Sequence, residues 1–470
     1  MYLSSRLSPL LRASRHLVRR EELRGRCITC KEEEKREKRG EVEHYDVVVS
    51  GGGMVGLAMA SSLGQNKTLS DRRILLLEGT PNKPWKLPEE FTNRVCALSG
   101  HTQKLFRKLG IWGHIEGIRA QAVRRMQVWE ACSEAMITFD EHDQSEVLAH
   151  IVENDVILHA LKEQVPAHVE VEYNTKVKCY DLPSDLSSRV TVCLHDGRKV
   201  SADLLIGADG AKSLVRQTMG SQYLGWEYDQ MGIVATLQLS EAVDNTVAWQ
   251  RFLPTGPVAL LPLSNDRSSL VWSTTKEQAQ KLHQLTDEEF TDALNRAIWD
   301  ESSSNEIIRT VHERWMTLLE TIAPRSGAAV RQLPPSVCAI VPGTRGSFPL
   351  GLGHAVHYVA PRVALIGDAA HRIHPLAGQG VNLGFGDVAT LTDTLQNAVL
   401  IGADIGDEQI LHQYESERQR HNVATLATID GLYRLYNSTA PPLVLLRSLG
   451  LSAVNIMAPL KRQLMAHAEG

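Results

Sequence analysis

The stretch from Tyr45 to Glu78, YDVVVSGGGMVGLAMASSLGQNKTLSDRRILLLE, decides the fold. Val47, Val48 and Val49 make a short β-branched run bounded by glycine, which suits a buried parallel strand. Gly51, Gly53 and Gly56 follow at G-x-G-x-x-G spacing. A helix is predicted next, carrying Val55, Met59 and Leu63, with small Ala58 and Ala60 for close packing. Ile74, Leu75, Leu76 and Leu77 form the next buried strand, and Glu78 ends it, 22 residues after Gly56. The first glycine permits a tight turn, the second lets the backbone approach a pyrophosphate, and the third lets helix and strand lie close. The helix start offers free N–H groups and a partial positive charge. Glu78 can accept hydrogen bonds from a ribose hydroxyl, and its charge disfavours a phosphate there. Glycine-rich turns are common by themselves. Strand, helix, strand and terminal acid in register point to a dinucleotide site, with NAD and FAD both open.

Two later stretches narrow the choice. DLLIGADGAKSLVR, residues 203–216, reads as a buried strand, a turn at Asp209-Gly210 and a helix starting between Ser213 and Arg216. A strand ending in Asp-Gly is ordinary; Ser213 and Arg216 at these offsets make it much rarer. RVALIGDAAHRIHPLAGQGVNLGFGD, residues 362–387, is the most specific. Val363 to Ile366 is a strand ended by Gly367-Asp368. A loop through Pro375, Gly378 and Gly380 then leads to a helix at about Val381. Asp368 can hold a ribityl hydroxyl, and backbone N–H groups from Gly378 to Asn382 can stabilise negative charge on a reduced flavin ring. His371 and His374 read as positioning and capping residues, since no further ligands at suitable spacing suggest a metal.

With 470 residues the chain exceeds one small core, so two domains are expected. It is 43% apolar and 22% charged, with net charge −5, which gives no sign of a nucleic-acid binder. No stretch of about 18 uncharged apolar residues occurs, so no spanning helix is expected. Residues 1–20 hold five arginines, no Asp or Glu, and regularly placed leucines, the composition of a mitochondrial transit peptide. A disordered basic tail is the plainer alternative. Residues 21–43 are dense in Glu, Lys and Arg, a solvated linker. The seven scattered cysteines imply no disulfide framework, and the Cys27-x-x-Cys30 pair in the linker reads as coincidence.

Between the motifs, residues 124–140 alternate like a hairpin, and 151–165 have helical spacing that includes Ile151 and Val152. A meander turns at Asp196-Gly197. Residues 226–275 are β-rich. Residues 276–325 read as helical, with Leu282, Leu285, Phe290, Leu294 and Ile298 as a core stripe.

GGGMVG, DLLIGADGAKSLVR and GDAAHRIHPLAGQGVN together resemble the aromatic-ring flavoprotein monooxygenases of the p-hydroxybenzoate hydroxylase type, over about residues 44–430. More narrowly, YDVVVSGGGMVG, RRMQVWEACSEA, VAWQRFLPTGPVALLPLS and FPLGLGHA look like the mitochondrial ubiquinone-biosynthesis monooxygenases, and the transit peptide agrees independently. The charged linker departs from that pattern. The resemblance implies an α/β fold: a Rossmann-like FAD-binding domain (44–123, 150–225, 340–400) interleaved with a β-rich substrate domain (124–149, 226–339). A C-terminal helical region would follow at 401–470, and the leader and linker occupy 1–43.

It also implies one non-covalent FAD. Gly51, Gly53 and Gly56 would take the pyrophosphate and Glu78 the adenosine ribose. Arg94, Asp209 with Gly210, and Gly367 with Asp368 would take the middle. The Pro375–Gly378 loop and Gly380, Val381 and Asn382 would take the isoalloxazine. No catalytic side chain stands out, because a hydroperoxyflavin carries the chemistry and the protein excludes water and holds the phenol ring. Arg251, Phe252, Gly256 and Pro257 are the candidates for the pocket wall. The implied substrate is a polyprenylated phenol and the co-substrate dioxygen. Electrons would come from ferredoxin and its reductase, otherwise NADPH, and contact with other ubiquinone-biosynthesis proteins is implied.

A soluble small-phenol hydroxylase of the same fold is the alternative. A prenyl-binding escort module without FAD is the non-enzymatic one, against which the intact third motif speaks. Peripheral attachment to the matrix side of the mitochondrial inner membrane is expected through residues 440–462. There Leu446, Leu449, Ala453, Ile456 and Leu460 recur at helical spacing, with Arg447, Lys461 and Arg462 facing headgroups. Packing of this helix on the protein's own core is the competing reading.

Overall fold

The computed structural model describes residues 42–133, 135–140, 147–300, 332–374, 380–438 and 440–456, together with 310, 311, 314, 315 and 317. The leader, nearly all of the charged linker, and the predictions for Pro375, Gly378, Leu460, Lys461 and Arg462 lie outside the described residues.

A first sheet is centred on β1 (Glu43–Ser50), which runs parallel to β2 (Ile74–Leu77) on one side and β11 (Lys199–Gly207) on the other. β8 (Glu170–Glu172) extends it beyond β2, and β19 (Val363–Leu365) and β18 (Val359–Ala360) beyond β11. β9 (Val177–Asp181) and β10 (Val190–Leu194) add the predicted meander antiparallel to β11. Every residue of β2 is buried, as expected of a strand covered on both faces.

Helix α1 (Met54–Gln65) crosses from β1 to β2, and its residues from Gly56 to Gly64 are all buried. Small side chains make this possible: α8 (Gly380–Leu400) lies against α1, tied by Ser62 Oγ and Thr392 Oγ1 at 2.9 Å. Each fully buried Val or Leu in this layer stabilises the fold by roughly 1.5–3 kcal/mol.

The region read as helical from residue 151 divides. β7 (Ala149–Glu153) pairs with β3 (Val95–Leu98) and β4 (Gln121–Val123), and α4 (Asn154–Glu163) begins only afterwards. β-branched Ile151 and Val152 suit a strand, and strand pairing prevails over the helical spacing. Helix α2 (Gly100–Lys108) follows β3, capped by Ser99, and α3 (Trp112–Ile118) comes next.

A second sheet has the order β20-β17-β12-β15-β14-β13-β5-β6. Its strands are β5 (Arg125–Glu130), β6 (Met136–Asp140), β12 (Tyr223–Leu239), β13 (Val247–Leu253), β14 (Gly256–Pro262), β15 (Arg267–Thr275), β17 (Gly346–Ala355) and β20 (His371–Arg372). β16 (Val337–Ile340) pairs with β12. The 124–140 hairpin joins through a parallel pairing of β5 with β13. The sheet also draws in β17 and β20 from the stretch 340–400.

One face packs on α6 (Lys276–Gln284) and α7 (Asp287–Trp299), where Leu282, Phe290, Leu294 and Ile298 meet Trp249 and Trp272. The predicted continuous helix breaks at Leu285 because Thr286 and Glu289 form a reciprocal capping box that starts α7. A short helix α5 (Leu214–Thr218) precedes β12. Two helices close the described chain, α9 (Glu408–Tyr436) and α10 (Pro441–Ile456).

Candidate functional site

The three sequence motifs come together at the carboxyl ends of β1, β11 and β19, where parallel α/β sheets bind ligands. The contacts between them are direct. Gly51 adopts φ +110°, and a Cβ there would meet the Ala208 carbonyl oxygen at 2.3 Å. A Cβ on Gly56 would meet the Gly51 carbonyl oxygen at 1.8 Å. These two glycines therefore answer to the protein's own backbone. Gly53 differs: it starts α1 with no side-chain cap, and a Cβ there meets nothing within 4 Å. Gly210 likewise faces open space.

Glu78 sits at the end of β2 as predicted. Its carboxylate accepts from the N–H of Gly52 at 2.7 Å and of Thr80 at 2.7 Å. Gly52, which the motif spacing passes over, is needed for this approach, because a Cβ on it would meet the Glu78 side chain. Each oxygen keeps a lone pair for a further donor.

Asp209 accepts from the N–H groups of Leu214 and Val215 through Oδ2, at 2.7 and 3.2 Å. Its other oxygen is buried with no partner among the described residues. Arg216 is buried, donating to the carbonyls of Ala369 (2.6 Å) and Ala211 (2.7 Å) and lying over the Tyr223 ring. It thus joins the second motif to the third.

Gly367 and Asp368 form a 3-10 turn after β19. Val55 of α1 lies beneath both Gly367 and Gly384, so neither position has room for a larger residue. Solvent reaches Asp368, yet protein surrounds most of its carboxyl. That crowding governs its ionisation: burial raises the pKa, while His371 and Arg372 pull it down. Its charge in turn reaches Cys96, whose thiol burial and Asp368 push up to about 12. Tyr223 is raised by burial, with Arg216 opposing and Asp368 adding. Cys96 and Tyr223, distant in sequence, are thereby placed around Asp368.

Asn382 spends its side chain on the protein. It accepts from Thr102 Oγ1 at 2.7 Å and Ser99 N–H at 3.2 Å, and donates to the Ala97 carbonyl at 2.8 Å. This fixes the start of α8 against β3 and α2. Arg94 is exposed at the start of β3, its guanidinium without a hydrogen bond among the described residues.

The residue that sequence reasoning missed is Asp387. It is fully buried and accepts from Gly367 N–H (2.9 Å), His371 Nε2 (2.6 Å) and Arg418 Nε (2.8 Å). Burial disfavours its charge, but His371 and Arg418 override this and set the carboxyl at about 2. His374 is buried beside Tyr228 and Tyr433 and is driven down to about 4 by burial.

The four wall candidates do not share one surface. Arg251 points to the α7 side, donating to the carbonyls of Ala297 and Asp300. Phe252 points the other way and stacks on Tyr436 at 3.8 Å. That second face, through Ala248, packs with Val95 and Ala97 of β3. Gly256 lies at the β13–β14 hairpin against the Ser273 carbonyl, and Pro257 is paired with Phe252. A cavity of about 760 Å³ lined by Arg72, Asp203, Arg362 and Asp404 lies at the opposite end of the strands. Arg362 there is already satisfied by carbonyls and by Asp404.

The open space at Gly53, the uncapped start of α1, the unpartnered oxygen of Asp209 and the free guanidinium of Arg94 fit a dinucleotide spanning the three motifs. Fold and site together define an FAD-dependent aromatic-ring monooxygenase. The family model described as "FAD binding domain" matches residues 44–316 and 347–428. Two solved structures share the fold. One is the probable FAD-dependent monooxygenase pqsL from Pseudomonas aeruginosa, 22% identical, with a TM-score of 0.65 over 87% of this chain and 99% of that one. The other is p-nitrophenol 4-monooxygenase PnpA from Pseudomonas putida DLL-E4, 18% identical, with a TM-score of 0.65 over 91% and 99%.

Among curated relatives, the chain is 52% identical to the mitochondrial ubiquinone biosynthesis monooxygenase COQ6 of Homo sapiens, covering 90% of this chain and 92% of that one. It is 49% identical to that of Danio rerio, covering 94% and 93%. The chain belongs to the family of ubiquinone biosynthesis monooxygenases.

Proposed function

We propose that this protein hydroxylates the aromatic ring of a polyprenylated phenol on the route to ubiquinone, at the matrix face of the mitochondrial inner membrane. The observation that carries this reading is identity of about half over nine-tenths of the chain to relatives bearing that name. The Arg-rich, acid-free first 20 residues support the location.

In this reading the backbone from Gly51 to Gly53 and the start of α1 hold the pyrophosphate of FAD, with Gly56 allowing the helix its approach. Glu78 holds the adenosine ribose. Arg94, Asp209 and Asp368 hold the middle, and Gly380 to Asn382 the ring. Bound FAD supplies the activation of dioxygen. The chain's own part is to orient the cofactor, exclude water and hold the phenol. The substrate portion is the second sheet, chiefly residues 124–149 and 226–339, and Phe252 with Pro257 is its wall on the β3 side. Ferredoxin and its reductase deliver electrons, with NADPH as the alternative donor.

Lipid extraction from cells lacking the protein tests the reading. Accumulation of a polyprenyl phenol short of one hydroxyl is the expected result and reports the ring position. Normal ubiquinone with no such precursor overturns it. Turnover of purified holoenzyme with ferredoxin and reductase, against NADPH alone, decides the donor.

A further inference from the structure

Helix α10 buries a largely polar face and leaves two leucines exposed. Its buried residues are Val444, Arg447, Ser448 and Ser452, at offsets of three, four and eight from Val444, which is one helical face, and three of the four are polar. Leu443 and Leu446 stand outward, 42% and 64% exposed, with Pro442 and Gly450 beside them.

The inward polar face is fully used. Arg447, only 5% exposed, pairs with buried Glu130 and donates to the carbonyls of Leu435, Tyr436 and Ser438. It therefore faces the protein, contrary to the sequence expectation that it faces headgroups. Glu130 is the deeply buried anion that draws it in. Ser448 Oγ meets Ser133 Oγ at 2.6 Å and Glu130 at 3.1 Å. Asn455 Oδ1 accepts from Thr138 N–H, covering part of the exposed edge of β6. The helix is thus held by these polar bonds and by the packing of Val444, Leu451 and Val454, which leaves Leu443 and Leu446 outward.

We infer that this outward face of α10 docks the enzyme on an anionic lipid surface. The face is aliphatic only, with none of the aromatic or arginine anchors that mark protein interfaces. The charge of the sequence here suits anionic headgroups: residues 437–468 contain no Asp or Glu, and Lys461 and Arg462 follow the helix in sequence. With 16 residues α10 is too short to span, and no helix among the described residues is long and apolar enough to cross a membrane. It is suited to lie in the interface. Leu451 and Val454 pack with Phe252 and Tyr436, so the docked face would lie one side-chain layer from the proposed pocket wall. The inference rests on the proposed polyprenyl substrate only for its purpose.

The test is co-sedimentation of full-length, FAD-loaded protein with mixed phosphatidylcholine–phosphatidylglycerol vesicles, against phosphatidylcholine alone. The wild type binds, and more tightly with the anionic lipid. The double variant Leu443→Glu, Leu446→Glu binds at least roughly tenfold more weakly, with flavin content and melting temperature unchanged. The uncharged pair Leu443→Asn, Leu446→Asn, measured alongside, shows a smaller loss in the same direction. Light scattering reports the oligomeric state throughout. The inference is overturned if the wild type ignores vesicles, or if both pairs bind as the wild type does. It also fails if the variants dissociate a wild-type oligomer, which would make the face a contact between copies, or if both pairs fail to fold, which would make it core. None of these readouts involves hydroxylation, so their failure leaves the functional reading standing.

Discussion

The carboxylate of Asp387 receives the backbone N–H of Gly367 at 2.9 Å, so a helix residue holds the turn that presents Asp368. The same oxygen takes His371, and the other takes Arg418. Asp387→Ala leaves Arg418 buried without its anion, at a cost of about 3–5 kcal/mol. Denaturant titration should show that loss, and the folded fraction should release FAD more readily than the wild type. Asp387→Asn should recover part of the stability. A variant equal to the wild type in both would show that the turn stands without this support.

Gly53→Val and Gly56→Val should fail in different ways. A Cβ at Gly53 meets no described atom within 4 Å, so that variant should fold with a near-normal melting temperature and emerge without flavin. A side chain at Gly56 strikes the Gly51 carbonyl, so that variant should lose several kcal/mol, on the order of 3, before any cofactor is considered. Flavin absorbance alongside thermal melting checks both.

Asp368→Ala should weaken FAD while leaving the apoprotein as stable as before, or slightly more so. Burial opposes the Asp368 charge in the absence of ligand, so its removal relieves a strained ionisation. Flavin fluorescence on dilution reads the affinity. An apoprotein markedly destabilised by this change would mean that the carboxylate serves the fold.

Stability should fall between pH 6.5 and pH 4. His374 is held neutral, with its pKa lowered from 6.5 to about 4. The unfolded chain binds that proton first, so the contribution is complete above 6.5 and drains away toward 4, by about 1–3 kcal/mol. His354, lowered to about 4 by burial and by His371, acts in the same direction. Asp387, lowered from 3.8 to about 2, keeps its contribution until the pH drops below 3.8 and loses it toward 2. Urea titrations across this range should show the first decline shrink in His374→Phe.

The β1–α1–β2 unit was legible because apolar runs, glycine spacing and a terminal acid all agree, and so were the second-sheet strands within 124–140 and 226–275, but not β17 and β20, which join that sheet from 340–400 by long-range pairing. Asp387 was not. A carboxylate in a helix rich in Leu, Gly and Val has no local signal, and its partners Gly367 and Arg418 lie 20 and 31 residues away. Arg447 misled for a related reason. On a leucine-rich helix a cation suggests the outer face, and only the buried Glu130, 317 residues earlier, reverses it. Ile151 and Val152 fit helical spacing and strand pairing alike, and their partners on β3 decide between the two.

The pairing of Val47 with Leu204, and of Leu205 with Val363, has a consequence for how the chain comes into being. The first glycine loop leaves the ribosome early, but its flanking strand must wait some 150 residues for one neighbour, and the third motif arrives about as long again after that. Until Arg418 has been made, the turn at Gly367 lacks its full support. A chain cut between the third motif and α9 would carry all three motifs and should still hold flavin less tightly. Such long-range pairing also makes for slow folding. A precursor that crosses a membrane unfolded should therefore gain its yellow colour late, as one of the last events of its maturation.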